Sequence, residues 1–198
     1  MTTATGPELP PASSDTPQLI IDLQDARPRR SDQPPVPSLA ELEGWATAAL
    51  KAGLRAQRRS LAQPAELTLR IVGEDEGADL NRRYRGRTGP TNVLSFIFEP
   101  PPGIDSDDPL TGPCAALLGD LVICAPVVRR EAGEQRKNET AHWAHLVAHG
   151  VLHLIGFDHL TATEATAMEA LEIRILGTLG FSSPYEVIDD VHDERRRI

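Results

Sequence analysis

The chain has 198 residues, 40% of them hydrophobic, which is enough for one domain with a proper core plus unpaired ends. No apolar run approaches the roughly 18 to 20 residues of a membrane span, and the opening MTTATGPELPPASSD lacks both the basic and the apolar region of a secretory signal, so a cytoplasmic protein with no membrane partner is expected. A formal net charge of −9 argues against a protein that coats nucleic acid, and no DNA binding is expected. Charge is unevenly placed, however: Arg82, Arg83, Arg85 and Arg87 crowd together, while acid collects at Glu74 to Asp79, Asp105 to Asp108 and Asp189 to Glu194. Such runs are ordinarily solvated faces.

Residues 1–17 are rich in Pro, Thr, Ser and Ala, lack the apolar content that ordering requires, and are expected to form a disordered tail. A strand is predicted over Gln18–Gln24, and four prolines then break regular structure from Pro28 to Pro37. Ser38 and Glu41 make a capping box for a helix to about Arg58, with Leu42, Trp45, Ala46, Ala49 and Leu50 at helical spacing. After Pro64, ELTLRIV alternates like a strand with one wet face. An acidic turn is read over Gly73–Gly77, a short helix over Ala78–Tyr84 with arginines at its C-terminal end, a loop through Gly86, Gly89 and Pro90, and a buried strand over Asn92–Phe98. The stretch 99–116 is too rich in Pro, Gly and Asp for either element. LLGDLVICAPVV resumes a strand pattern, followed by a polar helix over about Pro126–Gln135 and a histidine-bearing helix over about Thr140–Ile155. Thr161 and Glu164 cap a last helix that carries Met168, Leu171, Ile175 and Leu179 on one side and stops at Gly180. A domain over 18–185 and a charged tail over 186–198 complete the division.

Strands and helices mix without a regular βαβ rhythm, which points to an α+β fold: a single mixed β-sheet covered by helices, one of them a metal-binding histidine helix. No Gly-rich loop follows a strand, so a doubly wound nucleotide fold is not expected. Cys114 and Cys124 stand ten apart, match no common zinc pairing, and stay thiols in a reducing compartment; Cys124, in LVIC, reads as core packing.

The chemistry concentrates in HGVLHLIGFDH. His149 and His153, four apart in an apolar segment, share one face of a helix. Gly156 follows where the helix would stop and the chain turn back, which would deliver His159 to the same point. Catalytic zinc typically takes three protein ligands and keeps a fourth position for water, so three histidines suggest an open site for one Zn²⁺. The same spacing occurs in the protease pattern His-Glu-x-x-His-x-x-Gly-x-x-His, but Gly150 stands where that pattern has its general base. His142 and His145 extend the stripe backward, as groups behind the ligands or lining a cleft, with a cleft role favoured for His145. Asp158 orients an imidazole, serves as base, or makes a local backbone bond. Trp143, Phe96 and Phe98 read as core, and 4% aromatics leave few platforms for stacking bases.

From Leu80 to Tyr185 the chain resembles the bacterial YbeY family of metal-dependent endoribonucleases, in NRRYRGRTGPTNVLSFIFE, LLGDLVIC, AHWAHLVAHGVLHLIGFDH and EALEIRILGTLGFSSPY. The resemblance implies a zinc site at His149, His153 and His159, a functional arginine at Arg85, and single-stranded ribosomal RNA as substrate, in 3′-end maturation of the small-subunit RNA and ribosome quality control. It implies as partners the ribosome or small-subunit proteins and a ribosome-assembly GTPase. The Pro-rich amino terminus, the longer acidic loop around Asp105 to Ala115, and Ile97 where relatives commonly have Pro depart from the family pattern. A guanidinium suits the task, since its fork can bind two nonbridging phosphate oxygens as charge grows on them. Two other functions compete: a zinc metallopeptidase, favoured by the ligand spacing and weakened by Gly150, and a non-enzymatic ribosome-associated module in which zinc only holds the fold.

Overall fold

The computed structural model describes residues 17–29, 33–61, 63–100, 102 and 117–185. The expected tails over 1–17 (Pro17 apart) and 186–198, the acidic loop 105–115 and Cys114 lie outside the described residues. Runs of aliphatic residues form four strands, β1 (Leu19–Asp25), β2 (Ala65–Val72), β3 (Val93–Ile97) and β4 (Leu117–Cys124), in one sheet of order β1-β2-β4-β3. β1, β2 and β4 are parallel, and β3 runs antiparallel along the edge of β4. The fold is α+β, a mixed sheet with helices around it. Parallel neighbours need a long crossover, and α1 (Leu39–Gln57) supplies one between β1 and β2 that no βαβ rhythm announces in the sequence.

The remaining helices are α2 (Glu74–Arg85), α3 (Ala125–Glu134), α4 (Glu139–Leu154) and α5 (Ala162–Thr178). Capping boxes at Ser38–Glu41 and Thr161–Glu164 open α1 and α5 as expected. Two boundaries differ from expectation. α2 starts at Glu74 rather than Ala78, because Glu74, Asp75 and Glu76 in a first turn sit at the positive end of the helix dipole and favour helix over an acidic turn. The segment APVV continues no strand: Pro126, in the first turn of α3, cannot donate to a sheet ladder but fits a helix start.

The main core lies between one face of the sheet (Leu67, Leu69, Leu121, Ile123) and α1, α4 and α5. A smaller cluster on the other face joins Val72, Leu94, Val122, Cys124 and Val127, with Leu80 and Phe96 against it, so Cys124 does pack in a core. α4 touches α1, α3, α5, β3 and β4, which is why its sequence is apolar nearly all round and why Trp143 is only 1% exposed. The histidines therefore project from an element held on several sides. Among the described residues no helix is long and apolar enough to cross a membrane.

Candidate metal centre

α4 is opened by Asn138, whose side chain accepts from Ala141 N, and it closes in a Schellman turn. Gly156, at φ +91, donates to His153 O, and Phe157 N donates to Leu152 O at 3.0 Å. The turn does more than end the helix. It brings the Phe157 carbonyl 2.9 Å from His153 Nδ1, which must then carry the proton. On the other ring, His149 Nδ1 donates to Glu172 Oε1 at 2.7 Å. Both Nε2 atoms are left as lone pairs, and they face each other at 3.1 Å. Two lone pairs at that distance repel unless a cation stands near both.

His159 comes off the turn with its ring centre 5.8 Å from that of His149 and 5.0 Å from that of His153, and the three offer ligand nitrogens within 4.8 Å of one another. The three rings predicted to converge are thus together. Three imidazole nitrogens suit a borderline metal such as zinc, and His159, 53% exposed, leaves the group open to solvent.

Two groups behind the histidines escaped the sequence reading. Glu172, only 1% exposed, accepts from His149, from His145 Nε2 at 3.3 Å and from the Tyr185 hydroxyl. Burial alone would raise its pKa, but these three hydrogen bonds overcome it and hold the carboxyl at about 2. The available signal was an acid at an apolar position of α5, between Leu171 and Ile175. Tyr185 carried none. His145 lies against Glu172 and the Tyr185 ring. His142 leaves the stripe altogether, with Nε2 at 2.9 Å from Glu131 of α3, which also accepts from Asn92. α3 and α5 flank α4: the α3 carboxylate Glu131 draws His142, and the α5 carboxylate Glu172 draws both His145 and His149.

Asp158 accepts from the His159 backbone at 2.8 Å, the local bond such a residue often makes at a bend. Arg85 ends α2, exposed, and donates from Nη2 to Ser95 O on β3 at 3.2 Å. Ser95 Oγ in turn donates to Gly150 O on α4 at 3.4 Å, so a short chain of contacts joins the arginine to the residue after His149. At Gly150 a Cβ would fall on the Leu121 side chain. That position points into the sheet, and an acid there could not serve as a peptidase base.

The site has a pH signature. Burial lowers the pKa of both His142 and His153, from an ordinary 6.5; the hydrogen bond that His142 donates to Glu131 opposes it there, and His149 adds to it at His153. Groups with depressed folded pKa values contribute fully above their unfolded values and lose that contribution as pH falls. The metal-free protein should therefore lose melting temperature as pH drops below about 6.5, and again below about 4.5 as Glu172 protonates in the unfolded chain. A melting temperature unchanged between pH 7 and pH 4 would contradict these assignments.

The family model described as Endoribonuclease YbeY matches residues 30–180. Curated proteins with that same description are similar over nearly the whole chain. One from Alkalilimnicola ehrlichii is 52% identical over 176 residues, covering 89% of this chain and 96% of its own. One from Nitrosococcus oceani is 49% identical over 170 residues, covering 86% and 99%. One from Alcanivorax borkumensis is 48% identical, covering 85% and 87%.

Proposed function

The chain belongs to the YbeY family of endoribonucleases, and from that premise we propose that it is a zinc-dependent endoribonuclease of the cytoplasm, its catalytic domain spanning 18–185. Its substrate is single-stranded ribosomal RNA, cut in 3′-end maturation of the small-subunit RNA and in ribosome quality control, where small-subunit proteins and an assembly GTPase are its partners. The observation that carries the metal reading is the pair of Nε2 lone pairs at 3.1 Å with both Nδ1 protons already donated.

His149, His153 and His159 would hold one Zn²⁺. The ion, when bound, supplies Lewis acidity toward phosphate oxygen and acidifies water. His149 and His153 are locked by Glu172 and by the Phe157 carbonyl, so they need no reorganisation to bind. Arg85, tethered at one nitrogen to Ser95 O, offers its fork to the nonbridging oxygens as their charge grows. Gly150 and the engaged Asp158 leave no carboxylate in the base position of the protease pattern. The nucleophile is water or the RNA 2′-hydroxyl. An RNA with a 2′-deoxy nucleotide at the scissile position separates the two, since continued cleavage excludes the second.

The deciding experiment is cleavage of a single-stranded RNA by the purified chain. A chelator should abolish it and Zn²⁺ should restore it; cleavage indifferent to chelation would overturn the metal reading. Arg85→Glu should slow cleavage about a hundredfold, in line with the loss of one transition-state donor, while shifting stability by no more than about 0.5 kcal/mol because Arg85 is exposed. Its RNA affinity should also fall less steeply with salt than that of the wild type. Equal rates for the two proteins would remove Arg85 from the site.

A further inference from the structure

We infer that Glu172 and Tyr185 are positioning residues for the metal: a relay from the Tyr185 hydroxyl through the Glu172 carboxylate to His149 Nδ1 sets the tautomer and angle of that ring, and makes metal affinity depend on the segment after α5. The inference rests on the metal reading above. An acid among Met168, Leu171, Ile175 and Leu176 does nothing for the packing of α5, and a buried carboxylate persists only where it is paired. Both oxygens of this one are engaged, Oε1 by His149 at 2.7 Å and Oε2 by His145 at 3.3 Å and by Tyr185. The carboxylate cannot rotate without breaking a bond. While it stays ionised, His149 can meet it only with a protonated Nδ1, and Nε2 is then committed as a lone pair toward His153.

Tyr185 is placed by anchors on three sides. Phe181 N donates to Leu176 O at 2.9 Å, the Phe181 ring stands edge-on to Trp45 of α1 with centres 6.2 Å apart, and Lys137 Nζ donates to Pro184 O at 2.6 Å. The segment is thus strapped to α5, to α1 and to the loop before α4. Its last described residue closes over Glu172.

The test uses the full chain, with Zn²⁺ affinity read by competition with a chromophoric chelator and histidine tautomers read by ¹⁵N spectra of the metal-free protein. Glu172→Gln, close to isosteric, should stay folded and bind Zn²⁺ about 10- to 100-fold more weakly, the usual cost of losing a carboxylate behind a ligand histidine. Tyr185→Phe, at a partly exposed site, should lose less than about tenfold, and the double variant should be no weaker than Glu172→Gln alone, because tyrosine acts through the carboxylate. Equal affinity of wild type and Glu172→Gln, with only the melting temperature changed, would reduce Glu172 to a fold-holding residue and overturn the inference. A wild type that takes up no Zn²⁺ would sink the metal reading instead. The relay would then be judged on the tautomer, and a wild-type His149 protonated at Nε2 rather than Nδ1 would overturn it.

Discussion

His153→Ala should yield a folded chain that has lost its bound metal and about a thousandfold of its RNA cleavage. Removing one of three ligands leaves His149 and His159, too few to hold the ion in an open site. An ion acting as Lewis acid is worth several kcal/mol of transition-state stabilisation, and about 4 kcal/mol is a factor of about a thousand in rate. The fold should tolerate the change. His153 is half-buried, its Nδ1 bond to Phe157 O is worth about 1 kcal/mol, and the turn after α4 is closed by backbone bonds from Gly156 and Phe157 that alanine leaves intact. Elemental analysis, thermal melting and RNA cleavage on the same preparation read all three quantities. An unfolded variant would instead favour the module in which the metal only holds the fold, because a structural ion contributes its binding energy to folding.

Gly119→Ala should cost about 4 kcal/mol of stability, a large share of the roughly 5 to 15 kcal/mol a domain of ordinary stability has. Gly119 lies at a register shift in the β2–β4 pairing, at φ +125, where an L side chain is strained. An added Cβ would land on the Phe96 carbonyl oxygen, 2.8 Å from Phe98 N and 3.1 Å from Ile97 C. These are backbone atoms of the neighbouring strand, so no rotamer change relieves them. Backbone strain of about 1 to 3 kcal/mol adds to an overpacking cost of similar size. The strand pushed aside is β3, whose Ser95 touches both Arg85 and Gly150, so cleavage should fall even at temperatures where the variant is folded. Chemical denaturation measures the first effect, and a loss under 1 kcal/mol would show that the bulge can relax.

What lay within a few residues along the chain was legible without coordinates. The two capping boxes, the histidine pair at i and i+4, and the stop at Gly156 each depend on neighbours within one or two helical turns, and the structure has them where the spacing put them. Cys124 and Trp143 were readable as core for the same reason, from local apolar pattern. α2 begins earlier than the local pattern suggests because three consecutive acids, which also suit a turn, are favoured at the positive end of the helix dipole.

Other features were decided only by parts of the chain far apart in sequence. A helical period places His142, His145, His149 and His153 on one face, but that face is wide enough to meet two different neighbours. Glu131 of α3 takes His142, and Glu172 of α5 takes His145 and His149. Glu172 stands at an apolar position of α5 but has no partner in view until α5 lies against α4, and Tyr185 reads as the fringe of a tail until the strap brings its hydroxyl back. The parallel pairing of β1 with β2 is likewise invisible locally. The residues thus carry their own backbone preferences and donor atoms, whereas which carboxylate meets which imidazole depends on chain closure over tens of residues, and that closure is set by burying the shared apolar face of α1, α4 and α5.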